Sequence, residues 1–75
     1  MIETQEKKKI ALNTLEAVEY LGINRKLLEA YRRAGLIKAI KTGRSFIYPV
    51  KELDGFIEQN TGKEITKDGL ILGSM

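Results

Sequence analysis

Apolar positions along the chain fall into three helical patterns and one strand-like pattern, punctuated by glycines. The first helix begins at Leu12-Asn13-Thr14-Leu15-Glu16. Asn13 is a favoured N-cap, and Glu16 three residues on is placed to bond back to the cap backbone, with Leu12 and Ala17 at the two positions of a hydrophobic staple. Ala17, Val18, Tyr20 and Leu21 carry the helix onward, Glu16 and Glu19 face water, and Gly22 ends it. Asn24 caps a second helix from Arg25. At about 100° per residue its wheel separates Leu27, Leu28, Tyr31 and Ala34 from Arg25, Lys26, Glu29 and Arg33, with Arg32 at the margin. Gly35 closes it. Leu36 to Lys41 then alternates as a strand does, Thr42-Gly43-Arg44-Ser45 supplies a turn, and Phe46-Ile47-Tyr48 is a β-favouring return. Pro49 stops that strand and suits the first position of a closing helix, Val50 to Asn60, whose apolar face is Leu53, Phe56 and Ile57. Gly55 weakens this helix by about 1 kcal/mol relative to alanine, and its presence points to either a close packing contact or simple tolerance.

The order of these elements defines an α+β fold: a small winged helix-turn-helix, with a two-stranded β-wing and a closing helix. Gly22-Ile23-Asn24 has what the turn of a helix-turn-helix requires: a sharp reversal, an apolar plug and a cap for the next helix. Residues 1–10 read as a flexible N-terminal arm, in which Lys7, Lys8 and Lys9 are within reach of phosphate but are more simply a solvated tail. Residues 11–60 form the domain. Residues 61–75 are a tail with one apolar patch, Leu70-Ile71-Leu72, read as disordered or as a partner-binding or strand-adding segment, with disorder slightly favoured.

Charge sharpens this picture. The stretch from Asn24 to Arg44 holds seven of the 13 Lys and Arg residues and one acid, a local balance of +6 (seven minus one) in a chain of net +3. A positive surface this concentrated, with a pI near 9.3, points to a polyanionic partner, here nucleic acid. A ladder of Arg25, Glu29 and Arg33 pairs is the plain structural alternative for the helix.

Composition removes other classes. With no cysteine and no histidine, disulfides, zinc fingers and the His- or Cys-based nucleophiles and bases are excluded. The acids form no pair facing a cleft: Asp54 and Glu58 sit on the solvated side of the last helix, and Gly43-Arg44 belongs to no phosphate-binding loop. The sequence therefore implies no enzyme, no metal and no cofactor. Tyr20, Tyr31 and Tyr48 read as core or core-edge residues. No apolar run approaches a membrane span of about 18 residues, and the N-terminus lacks the apolar core of a signal peptide, so a cytoplasmic location is expected.

One run of residues goes further. Leu12, Glu16-Ala17, Glu19-Tyr20-Leu21-Gly22-Ile23, Arg25, Leu28, Gly35, Ala39-Ile40-Lys41, Gly43-Arg44, Phe46 and Pro49, closed by Leu53 and Phe56-Ile57, resemble the excisionase-type DNA-binding domain. That family sits in the winged-helix group that includes the MerR-like proteins. The resemblance covers about residues 12–58. It implies a recognition helix in the major groove, with Asn24, Arg25, Lys26, Glu29 and Arg33 as contacts, and a wing presenting Lys41 and Arg44 to the adjacent minor groove or backbone. Leu27 stands where the family often has a small polar residue, and Arg32 where it often has an apolar one. The long dimerisation helix and effector domain of MerR-type regulators have no counterpart here. The role so implied is that of a sequence-specific double-stranded DNA-binding protein. Its leading form is an accessory factor of a mobile element that bends DNA and assists an integrase. A small transcriptional regulator and a winged-helix protein-interaction module are the alternatives. The protein is expected to be monomeric in solution, with cooperative assembly on DNA, for which Leu70–Leu72 is one candidate contact.

Overall fold

The structure, a computed structural model, describes residues 9–74; the expected role of Lys7 and Lys8 falls outside them. In chain order the elements are β1 (Ala11–Leu12), α1 (Thr14–Leu21), α2 (Arg25–Arg33), β2 (Ile40–Thr42), β3 (Ser45–Pro49), α3 (Val50–Asn60), β4 (Lys63–Ile65) and β5 (Ile71–Ser74). The fold is α+β, a winged helix-turn-helix, as the hydrophobic pattern predicts.

The first helix starts on a complete capping box. Asn13 Oδ1 accepts from the Glu16 N–H at 2.8 Å, and Glu16 Oε1 accepts from the Asn13 N–H at 3.0 Å. Lys9, counted with the arm in the sequence, donates to the other Glu16 oxygen. That hydrogen bond first, and the Asn13 N–H second, hold the Glu16 carboxyl below its ordinary pKa. Gly22 (φ 72°) ends α1 in the left-handed region. Three residues later α2 begins, with the Leu27 N–H bonded to Asn24 Oδ1 at 2.8 Å. Between them Ile23 packs against the core.

The end of α2 differs from expectation. The alternation predicts a strand from Leu36; the ladder begins only at Ile40. Ala34 caps α2 with an αR backbone, Gly35 takes φ 82°, and the Leu36 and Gly35 N–H groups return to the carbonyls of Tyr31 (2.9 Å) and Arg32 (3.0 Å). This is a Schellman closure. The Ile37 N–H also reaches Tyr31 O, at 3.4 Å, so two donors that a strand would spend on a ladder are spent on the helix end. The Ile37 side chain turns into the core instead, 1 % exposed.

Three strands form one antiparallel sheet in the order β1-β3-β2, with Leu12 opposite Tyr48, Ile40 opposite Ile47, Lys41 opposite Phe46 and Thr42 opposite Ser45. The wing is therefore a hairpin with a two-residue loop, Gly43-Arg44. Its first position needs a positive φ in either primed turn, and Gly43 has φ 66°. The short strand β1 was not anticipated. Beside it the Ile10 carbonyl accepts the Val50 N–H at 2.9 Å, serving the start of α3 where Pro49 offers no side-chain cap. Pro49 is thus the N-cap of α3 rather than its first residue.

The core is Ala17, Leu28, Tyr31, Ile37, Tyr48 and Leu53, drawn from all three helices, the link after α2, and β3. Tyr31 stacks at a tilt on Phe56, with centroids 5.4 Å apart. Tyr31 and Tyr48 are core as expected, whereas Tyr20 is 47 % exposed. Its hydroxyl donates to Asp54 on α3, which raises the Tyr20 pKa above its ordinary value. Ile57 is 43 % exposed, so the buried stripe of α3 is narrower than its pattern suggested.

Beyond Thr61 the slight leaning toward disorder is not what the structure gives. Residues 63–74 make a second antiparallel hairpin, with Lys63 opposite Ser74 and Ile65 opposite Ile71. Ile65 packs against the core, while Leu70, Ile71 and Leu72 stay exposed. Among the described residues no helix is long and apolar enough to cross a membrane.

Candidate nucleic-acid interface

Helix α2 presents three faces. Leu28 and Tyr31 point into the core. On one flank the Arg32 guanidinium lies over the Phe46 ring of the wing, 3.9 Å from its centroid. Its Nε is buried with no hydrogen-bond partner among the described residues. On the other flank, Ala30 and Ala34 meet the turn of the second hairpin: a Cβ built on Gly69 would stand 2.6 Å from Ala34 Cβ and 3.1 Å from the Ala30 carbonyl oxygen. Between these flanks lies the third face, which carries Lys26, Glu29 and Arg33.

The residues expected to contact nucleic acid divide by geometry. Lys26 and Arg33 are exposed and line an open groove of about 560 Å³ with Glu29, Ala30 and the turn residues Lys67 and Asp68. Asn24 is committed through its side-chain oxygen to the helix cap, which leaves its amide nitrogen as the group free to reach outward. Arg25 bonds Glu29 at 3.3 Å, with Arg25 70 % exposed. The structural pairing anticipated for this face therefore exists in part. It costs little to break, since exposed i,i+4 pairs are worth about 0.3–0.5 kcal/mol. Arg33 has no ion pair among the described residues, and like Arg32 it sits in the last turn, where a cation complements the helix dipole.

The wing carries the other two. Arg44 is in the loop and Lys41 is on β2, both exposed. Lys41 is directly opposite Phe46, and directly paired residues share a sheet face. Lys41 therefore stands on the same wing face as the ring that holds Arg32. A second, smaller depression between Arg25, Ser45, Phe46 and the start of α1 joins the wing to the N-terminal half of α2.

Sequence reasoning missed two features of this surface. Arg32 is a tie between helix and wing rather than a marginal surface charge; its place at the margin of the wheel, and an arginine where the resembled family often has an apolar residue, were the signals. The second hairpin, with Lys67 and Asp68 beside the exposed face, was missed although Asp68-Gly69, a favoured hairpin-turn pair, stands directly before the apolar Leu70-Ile71-Leu72.

A cationic helix face held against a basic hairpin, on a tight two-helix turn, defines the class: a winged helix-turn-helix DNA-binding protein. The chain belongs to the helix-turn-helix domain family of excisionase-like proteins, whose family model matches residues 11–61. The match spans β1 to the end of α3 and stops before the second hairpin. No curated protein and no solved structure matches the chain.

Proposed function

We propose that the protein binds double-stranded DNA sequence-specifically as an excisionase-like accessory factor of a mobile element, bending the DNA to assist an integrase. The observation that carries the DNA-reading part is the exposed face of α2, where Lys26 and Arg33 stand with Glu29 between the packed flanks. Arginine and lysine on such a face reach guanine edges, and a carboxylate accepts from a cytosine amine. In this reading Asn24, Arg25, Lys26, Glu29 and Arg33 engage the major groove. Lys41 and Arg44 follow the wing to the neighbouring backbone or minor groove, where negative potential is enhanced. The accessory role rests on family membership and on the small size of the interface. One domain of this size buries limited area on DNA, which favours action beside other bound proteins or on several adjacent sites. Leu70, Ile71 and Leu72, exposed on the second hairpin, are the residues through which neighbouring copies would cooperate.

A transcriptional regulator would use the same face, so the test must read location and consequence together. Footprinting on DNA flanking the protein's own gene, followed by an excision assay with an integrase encoded beside it, does this. Protection near the recombination ends with stimulated excision is the expected result. Protection over a promoter with no effect on excision would reassign the protein as a regulator. No protection of any duplex would overturn the DNA reading and favour a protein partner.

A further inference from the structure

We infer that the turn of the β4–β5 hairpin is a second wing, with Lys67 contacting a backbone phosphate on the flank of α2 opposite the first wing. This rests on the reading of α2 as the helix that enters the groove. A helix lying in the major groove has a phosphate strand on either side of it, and the groove is about 12 Å wide. The first hairpin guards one flank of α2, held there by Arg32 over Phe46. The second guards the other flank, and its tip residues line the groove that Lys26, Glu29 and Arg33 also line. The two hairpin tips therefore face the two strands.

The second hairpin is built to hold its tip in place. Lys67, Asp68 and Gly69 form a three-residue loop closed by the Thr66 N–H to the Leu70 carbonyl at 2.9 Å, the loop length whose last residue takes the left-handed conformation. Gly69 has φ 86°. Thr66 Oγ1 accepts from the Leu70 N–H at 3.0 Å and the Asp68 N–H at 3.3 Å. Gly69 is buried against Ala30 and Ala34, where no side chain fits, and Ile65 anchors the first strand to the core. The tip is thus docked on the helix. Lys67 is exposed with no ion pair among the described residues. Asp68 beside it brings a negative charge to the same groove, so the two tip residues act on DNA with opposite sign.

That opposition supplies the test. Binding of the full chain to a labelled duplex from its own flanking DNA, and to a scrambled duplex, is followed by anisotropy across a salt series. Each phosphate contact contributes about 0.9 to the slope of log affinity against log salt. Lys67→Ala is expected to make that slope shallower by about 0.9 on both duplexes, and Asp68→Asn is expected to tighten binding to both. Gly69→Ala, which keeps Lys67 but pushes the tip off the helix, is expected to reproduce the Lys67→Ala slope, with a circular-dichroism melt confirming that the core remains folded. If Lys67→Ala and Asp68→Asn leave binding unchanged while Arg33→Ala weakens it, the second wing is refuted and the α2 reading stands. If the unaltered chain shows no salt-steep binding, both fall together.

Discussion

Arg32 shows how one residue joins two elements. Its guanidinium lies over the Phe46 ring, 3.9 Å from the centroid; a planar cation suits such a position better than the compact ammonium of lysine, and an arginine stem packs as apolar surface. Arg32 thereby packs on the wing as an apolar residue would. The buried Nε without a partner is the cost of that arrangement. Removing the side chain should matter more than removing its charge. Arg32→Ala is expected to destabilise the domain by about 1–2 kcal/mol. Arg32→Met, which keeps the packing and deletes the orphaned donor, should recover most of that loss in urea unfolding. Equal loss in both variants would place the stabilisation in the charge alone. At this scale the sequence was legible wherever a residue acts through its own backbone. Asn13, Glu16, Gly22, Asn24 and Gly43 do what their types and spacing predict. Where a residue acts through a distant partner, as Arg32 does through Phe46 or Tyr20 through Asp54, spacing carries no such information.

Among the elements, α3 was read to its ends, Val50 and Asn60, because Pro49 and the apolar stripe leave little freedom in where it lies. Its weak point is Gly55. A Cβ there would meet nothing within 4 Å, so the glycine reflects tolerance rather than a close contact. Gly55→Ala is expected to stabilise by about 1 kcal/mol. In a domain of this size that raises the melting temperature by roughly 4–8 °C, with DNA affinity unchanged; a lower melting temperature would mean the helix needs the glycine. The strands were harder to read. Leu36 to Lys41 alternates, yet the Schellman closure of α2 consumes its first donors, and alternation does not reveal that competition. The two-residue strand β1 carries too little pattern to register at all. The second hairpin did announce itself in Asp68-Gly69, but an exposed Leu70-Ile71-Leu72 on a short tail resembles a disordered segment when no docking site is known. That site, Ala30 on α2 and Ala34 at its C-cap, exists only once the chain is folded.

At the scale of the whole molecule, the arrangement is a helix held between two hairpins. The charge concentration seen in the sequence gains direction from the fold: Lys26 and Arg33 look outward, Arg32 is turned sideways to fix the first wing, and Lys41 and Arg44 ride on that wing. Among the described residues the core places these groups with six buried hydrophobic side chains, none of them charged, so the cationic face is free for a polyanion without loss to the fold. The central claim is that this face and the wing together read duplex DNA. The measurement that tests it most directly is anisotropy over a salt series on a native and a scrambled duplex, with Arg33→Ala and Arg44→Ala beside the unaltered chain. The account predicts salt-steep binding that prefers the native duplex, with each variant losing affinity and with the slope reduced by about 1 where a phosphate contact is removed. Weak binding, equal on both duplexes and indifferent to both substitutions, would contradict it.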